Sequence, residues 1–179
     1  METAVVSQLI DQYGMGVMRF CRSLTRCACD AEDLYQQTFL KLLQLRVKVE
    51  REQNPRAFLF SIASGIWKNE CRKWGRRTDI APSSSLEELL EQPPQEPPDG
   101  GDLQQQVLDR MCQQELARAV QRLEEKYRSP VILMYRFGMG IDEIARIERV
   151  PKGTIKSRLS RARKQLRKEM EERGYAQEF

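Results

Sequence analysis

Eight lysines and arginines, with no aspartate or glutamate among them, lie within the eighteen residues from Pro151 to Lys168. Positive charge at this density suits the binding of phosphate groups, because lysine and arginine neutralise phosphates and release the counterions that surround nucleic acid. A solvated surface helix usually mixes charges of both signs, whereas this segment carries one sign although the net charge of the chain is only +4. The segment therefore predicts a nucleic-acid contact.

Apolar residues in this segment have helical spacing. Four of them recur at i, i+4, i+7 and i+11 and form one buried stripe: Ile155, Leu159, Ala162 and Leu166. A turn of about four residues separates this helix from another that contains Ala145, ten residues before Ile155, and this spacing is typical of a helix-turn-helix. The other faces carry basic and hydroxyl groups that suit a DNA major groove: Lys152, Thr154, Lys156, Ser157, Arg158, Arg161, Arg163 and Lys164.

A second basic segment ends the apolar stretch that begins at Arg56. Two tryptophans, Trp67 and Trp74, alternate there with lysines and arginines. Aromatic rings stack on unpaired bases while cations hold the phosphates, so the pattern is typical of single-stranded nucleic-acid binding. The alternative is that both tryptophans belong to the core and the charges form a solvated helix end.

Catalytic and metal chemistry have little support in the sequence. The chain has no histidine, and its cysteines number five, an odd count. Cys27 and Cys29 form a Cys-x-Cys pair with Cys21 six residues earlier, but no second pair follows, so we expect reduced thiols, with a metal or redox site as the alternative. Glycine-rich phosphate loops and acidic metal motifs are also missing. We predict no catalytic residue, no metal and no cofactor, and the chain is not expected to be an enzyme.

Charge divides the chain into three parts. Residues 1–79 have a net charge of +4 and residues 107–179 of +6, whereas residues 80–106 carry six acidic groups and no basic one. That middle part is rich in proline and predicts a flexible acidic linker. Because good helix formers dominate and strand signals are scarce, we predict an all-α protein with two small helical domains, 1–79 and 107–179, the second containing the helix-turn-helix.

Some helix boundaries can also be predicted. Asp30 is a candidate N-cap with Asp33 at the capping-box position, and Leu42 and Leu43 are among the apolar residues expected to face the core from the helix that follows. Pro130 suits the first turn of a later helix. The sequence has no run of about 18 apolar residues and no secretory leader at its start, so we expect a cytoplasmic location without membrane insertion.

Three segments together match one family: DAEDLYQQTFLKLL (Asp30–Leu43), RAFLFSIA (Arg56–Ala63) and GIDEIARIERVPKGTIKSRLSRARKQLRKE (Gly140–Glu169). They closely resemble the extracytoplasmic-function (ECF) RNA polymerase sigma factors of the sigma-70 family. The order, the spacing and the joining linker match as well, so the resemblance covers nearly the whole chain. It implies a protein that binds core RNA polymerase and promoter DNA and directs promoter-specific transcription initiation, and whose partners include an anti-sigma factor.

The resemblance implies a role for each region. The helix around Asp30–Leu43 is implied to dock on the largest polymerase subunit through Asp33, Gln36, Gln37 and Thr38. The stretch Ile62–Arg77 is implied to melt the minus-ten element and to capture an unpaired base. Its implied DNA-binding residues are Trp67, Lys68, Asn69, Arg72, Lys73, Arg76 and Arg77. The final helix is implied to read the minus-thirty-five element.

The chain departs from the family pattern at two places that bear on DNA binding. Ser64-Gly65 stands where relatives commonly have Arg-Asn, so the base-capturing asparagine cannot be assigned there and Asn69 is the substitute. The turn Glu148-Arg149-Val150 lacks a glycine, so a left-handed backbone at Arg149 would be strained.

Two other classes of protein remain as alternatives. A stand-alone helix-turn-helix regulator would bind duplex DNA unaided and use the first domain as a sensor, but a sensor needs neither the polar docking helix nor the tryptophan-basic segment. A nucleic-acid enzyme lacks its catalytic groups in this sequence. For a sigma factor, we expect the free chain to bind promoter duplex weakly, because its affinity is divided between two domains that only the polymerase aligns.

Overall fold

The part of the chain that the structure describes contains seven α-helices and one wider π-type turn. The computed structural model describes residues 3–45, 54–78 and 103–175, with side chains at residues 6–45, 54–74 and 111–175. The elements are α1 (Thr3–Leu24), α2 (Ala28–Gln44), α3 (Pro55–Thr78), α4 (Leu103–Arg122), α5 (Glu125–Val131), the π-type turn (Ile132–Arg136), α6 (Ile141–Glu148) and α7 (Lys152–Glu172). The described part contains no strand, which confirms the all-α prediction.

Helices α1, α2 and α3 pack together in the N-terminal half. The apolar periodicity of α1 buries Val17, Phe20 and Leu24 completely, and they meet Leu42 of α2 and Leu59 of α3 in the core. The following residue of α2, Leu43, is 41% exposed, so the prediction that it faces the core is wrong. One helical step of about 100° is enough to carry a side chain from the buried stripe to the surface.

Helix α2 begins two residues before the predicted N-cap. The Sγ atom of Cys27 accepts a hydrogen bond from the backbone N–H of Asp30 at 3.3 Å, so Cys27 is the N-cap and the prediction for Asp30 is wrong. Asp30 lies instead in the first helical turn, where its negative charge is favourable. Cysteine is not among the residues preferred at this position, which is why the sequence pattern pointed elsewhere.

The C-terminal half folds around the stripe of α7. Ile155, Leu159, Ala162 and Leu166 are all buried, as their spacing predicts. Pro130 lies inside α5, which begins at Glu125, so the prediction that this proline starts a helix is wrong. The predicted linker falls mostly outside the described residues, and its last four residues, 103–106, already belong to α4.

The two halves share one continuous core. The rings of Phe20 and Phe60 stack with centroids 4.6 Å apart, and the ring of Phe137 meets their edges from the C-terminal half at 5.7 Å and 5.0 Å. The guanidinium of Arg128 donates to the carbonyl oxygen of Leu24 at 2.8 Å, and Gln121 donates to that of Ser23, also at 2.8 Å. The two halves therefore lie against each other. No described helix is long and apolar enough to cross a membrane.

Candidate nucleic-acid interface

The turn between α6 and α7 sets the direction of the basic helix. Helix α6 ends at Arg149 with φ 54° and ψ 46°, the left-handed conformation that the missing glycine makes costly, by roughly 1–2 kcal/mol. The N–H of Val150 donates to the carbonyl oxygen of Ala145 at 3.1 Å, which closes the helix end as a Schellman motif. Pro151 then serves as the N-cap of α7. Two helices joined by three residues confirm the predicted helix-turn-helix.

Helix α7 presents its cations away from the core. The exposed members of the predicted set are Lys152, Lys156, Ser157, Arg161, Arg163 and Lys164. Thr154 and Arg158 are half-buried, and the Ser157 hydroxyl donates to the Thr154 carbonyl at 2.9 Å. Lys152 pairs with Asp142 at 2.7 Å in solvent.

Four cations of this face have no acidic partner among the described side chains: Lys156, Arg161, Arg163 and Lys164. A positive surface of this kind attracts anions, and closely spaced phosphates suit it. The structure thus brings the predicted residues of α7 onto one helix, on which these four carry an exposed, uncompensated charge.

The basic end of α3 departs in part from its predicted use. Trp67 is only 4% exposed and packs with the half-exposed Trp74, their ring centroids 5.4 Å apart at 86°. The interpretation of the tryptophans as core residues therefore holds for Trp67, which presents no free ring face in this conformation. Asn69 is exposed and accepts a hydrogen bond from Arg72 at 3.4 Å, and Lys73 pairs with Glu70 at 2.6 Å. The side chains of Arg76 and Arg77 lie outside the described residues.

The exposed face of α2 carries the predicted polymerase contacts except one. Asp33, Gln36 and Gln37 are exposed, whereas Thr38 is fully buried and its hydroxyl donates to the carbonyl oxygen of Leu34 at 2.7 Å. Thr38 therefore supports the helix and has no surface to offer a partner in this conformation. Leu40, 57% exposed, follows Gln36 by four residues and lies on the same face. Sequence reasoning missed it because a leucine in an amphipathic helix predicts burial.

A shallow cavity joins the two surfaces of the N-terminal half. It measures about 80 Å³ and lies between α2 and α3. Asp33 and Gln37 line one wall, and Trp67 and Trp74 line the other. The Trp67 ring N–H is buried without a hydrogen-bond partner among the described residues. Asp30 and Glu70 join Asp33 in the lining, so the cavity is acidic and disfavours a phosphate inside it.

The cysteines form no metal centre in the described part of the chain, where no three candidate ligands lie together. All five thiols are free. Burial raises the pKa of Cys21 to about 12 and that of Cys71 to about 11, which keeps both protonated at neutral pH. Cys27 caps a helix, which gives this member of the Cys-x-Cys pair a structural role, while Cys29 is exposed.

A cluster around Glu148, which sequence reasoning did not identify, joins the two basic helices. Its side chain is fully buried, and Oε1 accepts hydrogen bonds from Ser64 at 2.8 Å and Ser129 at 2.6 Å. Oε2 forms ion pairs with Lys68, 2.5 Å away, and with Arg158, 3.8 Å away. These five residues are the Glu148 cluster. The signal in the sequence was a carboxylate four residues after a core isoleucine of α6, on the helix face expected to be buried.

Comparison with known proteins adds the following similarities. The sigma-70 region 2 family matches residues 9–77, and the sigma-70 region 4 family matches residues 113–166. The ECF RNA polymerase sigma factor SigL of Mycobacterium tuberculosis is 29% identical over 174 residues, which are 97% of this chain and 93% of SigL. The ECF RNA polymerase sigma factor EcfG of Rhodopseudomonas palustris is 30% identical over 147 residues, 82% of this chain and 75% of EcfG.

A solved structure is similar over most of the fold. It is the sigma factor RpoE from Bartonella quintana in complex with the anti-sigma factor NepR. The TM-score is 0.71 at 28% identity, and the similarity covers 92% of this chain and 96% of that chain.

Proposed function

The chain belongs to the ECF RNA polymerase sigma factors of the sigma-70 family, and from this membership we propose which of its residues direct promoter-specific transcription. The observation that carries the proposal is the order of the two matched regions, 9–77 and 113–166, with an uncompensated basic helix in the second. The alternative of a stand-alone regulator explains the basic helix α7 but does not explain the match to sigma-70 region 2. The first domain, residues 1–79, then serves the polymerase and the minus-ten element, and residues 107–179 serve the minus-thirty-five element.

Docking on core polymerase is assigned to the exposed face of α2. Asp33, Gln36 and Gln37 offer a carboxylate and two amides, and Leu40 adds apolar area beside them. Such a surface suits a partner helix with cations and apolar side chains, because polar contacts at the rim surround a smaller apolar centre. Thr38 acts from the core by holding the helix.

Promoter DNA is assigned to α3 and α7. In α7, Lys152, Thr154, Lys156, Ser157 and Arg158 lie near the helix start, where side chains of a helix-turn-helix reach base edges. Arg161, Arg163 and Lys164 lie further along and suit phosphates, which position the helix without reading sequence. At the end of α3, Asn69 and the cations Lys68, Arg72, Lys73, Arg76 and Arg77 serve the melted minus-ten strand, with Trp74 as the accessible ring.

The relative from Bartonella quintana was solved with an anti-sigma factor bound, and we include an anti-sigma factor among the partners of this chain. The chain acts in the cytoplasm together with RNA polymerase and contributes promoter recognition, while the polymerase carries out the chemistry.

Association with core polymerase tests the docking assignment. The purified chain is mixed with bacterial core RNA polymerase that lacks other sigma factors, and the dissociation constant is measured by fluorescence anisotropy. We expect tight binding, and we expect the double variant Gln36→Ala, Gln37→Ala to weaken it about tenfold, the effect of losing contacts worth about 1.4 kcal/mol. The control is Gln12→Ala, the same chemical change at an exposed position of α1. Failure to bind core polymerase, or equal weakening by the control, contradicts the assignment.

A further inference from the structure

The Glu148 cluster joins the two domains through one buried charge. A buried carboxylate needs partners for its charge, and here Oε1 accepts two hydrogen bonds while Oε2 has the ion pairs with Lys68 and Arg158 but no hydrogen bond among the described residues. Ser64 and Lys68 come from α3 in the first domain, whereas Ser129 and Arg158 come from α5 and α7 in the second. The buried carboxylate therefore needs both domains, and separating them removes two of its four partners.

Two partners of Glu148 are residues assigned to DNA. Lys68 belongs to the minus-ten surface and Arg158 to the minus-thirty-five helix. A carboxylate oxygen and a phosphate oxygen are both anionic acceptors for such cations. Oε2 of Glu148 lies 2.5 Å from Lys68 and 3.8 Å from Arg158, so it competes with a DNA phosphate for the charge of both cations.

In this conformation the two cations assigned to DNA also lie too close together to reach both promoter elements at once. Lys68 and Arg158 lie within 4.0 Å of the same carboxylate group. Two promoter elements one and a half to two helical turns apart, at roughly 34 Å a turn, are separated by some 50 to 70 Å. A single molecule in this conformation can touch one element or the other, so the domains must separate before both are bound.

We propose that Glu148 is an internal competitor of DNA, whose carboxylate binds Lys68 and Arg158 and thereby locks the free chain in a closed, promoter-incompetent form. The assignment of these two cations to DNA rests on the proposed function, whereas the closed form itself does not. The contacts of Phe137, Arg128 and Gln121 across the same domain boundary support the lock with apolar packing and hydrogen bonds. Weak promoter binding by the free chain then has a structural cause in addition to divided affinity.

The variant Glu148→Gln tests the lock with little change in shape. Glutamine can still accept hydrogen bonds from Ser64 and Ser129 but carries no charge for Lys68 and Arg158, so Glu125 is the carboxylate left near these two cations. A compact chain of this length has a radius of gyration of about 16 Å, and we expect small-angle X-ray scattering to give a value several Å larger for the variant than for the wild type. Binding to a 30-base-pair duplex of arbitrary sequence should tighten about fivefold, with a log K against log salt slope steeper by about 1.

A charge-matched control separates the lock from a general change in net charge. Glu171→Gln removes one negative charge from an exposed position near the end of α7 and is expected to change DNA affinity less than twofold. The proposal requires both effects of Glu148→Gln, expansion and tighter DNA binding, beyond those of the control. An unchanged radius, or a DNA affinity equal to that of Glu171→Gln, overturns it.

A second variant tests the lock if circular dichroism shows that Glu148→Gln has lost its helical structure. Ser64→Ala removes one hydrogen bond to Glu148 and leaves every charge in place, so smaller shifts in the same directions are expected. If this variant is folded and has the radius and DNA affinity of the wild type, the lock is overturned. Both measurements omit the polymerase, so they report on the lock even if the chain fails to direct transcription.

Discussion

At the scale of single residues, burial decides what each charged group does. Arg128 and Glu148 are both buried, and the charged group of each makes contacts that join the two domains. Arg161 and Lys164, which are exposed and lack an acidic partner among the described side chains, keep their charge for an outside anion. Residue type alone therefore does not assign a cation to DNA, because Arg128 and Arg161 differ only in their surroundings.

The surroundings of Glu125 disfavour the ionised form of its carboxyl group. Burial raises the pKa of its carboxyl above the ordinary 4.5, and the nearby Glu148 acts in the same direction, while Lys68 and Arg72 on α3 and Arg158 on α7 oppose the rise. Oε1 of Glu125 has no hydrogen-bond partner among the described residues. Because the folded pKa is the higher one, the stability that this group contributes is complete below the ordinary value and is lost as the pH rises through the raised value.

Glu125→Gln is therefore expected to stabilise the protein at neutral pH. The amide removes the cost of burying a charge, so the urea midpoint at pH 7 should rise, and the difference from the wild type should narrow as the pH falls toward 4.5. Glu124→Gln, at the neighbouring position, is the control; it removes an exposed ion pair with Lys126 and should change the midpoint little. A lower midpoint for Glu125→Gln at pH 7 would mean that the charge of Glu125 stabilises the fold.

At the scale of helices, each helix buries one apolar stripe and leaves the opposite face exposed for contacts with other molecules. In α7 the spacing of Ile155, Leu159 and Ala162 predicted both the core side and the DNA side, because a 3.6-residue period fixes one when the other is known. The same reasoning failed at the helix ends, where single atoms decide. The Sγ of Cys27 caps α2, which no hydrophobic pattern predicts, whereas the left-handed Arg149 after α6 lies in the turn where the sequence lacks a glycine.

Helix α7 also allows a test of phosphate contacts. Arg161→Ala with Lys164→Ala should weaken binding to all duplex sequences alike and make the log K against log salt slope shallower by about 1.8, or about 0.9 for each lost contact. Arg118→Ala with Arg122→Ala removes two exposed cations of α4 that already pair with glutamates, and it serves as the control. An unchanged slope in the α7 variant would show that these side chains do not reach phosphates.

At the scale of the whole molecule, the sequence predicted the class of fold, the helix-turn-helix and the family, since these follow from local periodicity and motif order. It did not predict that the two halves share a core. Ser64 and Glu148 are 84 residues apart in the sequence, and Arg128 and Leu24 are 104 apart. No local pattern links such positions, and the interface depends on side chains such as Phe137 that a helical stripe does not single out.

The most direct test of the whole proposal is promoter-directed transcription. The purified chain is added to bacterial core RNA polymerase and fragmented genomic DNA, and the 5′ ends of the transcripts are sequenced. A sigma factor predicts discrete starts that appear only when the protein is present and that share two upstream motifs at a fixed spacing. No such starts, together with sequence-specific duplex binding in the absence of polymerase, would contradict the account and identify a stand-alone regulator.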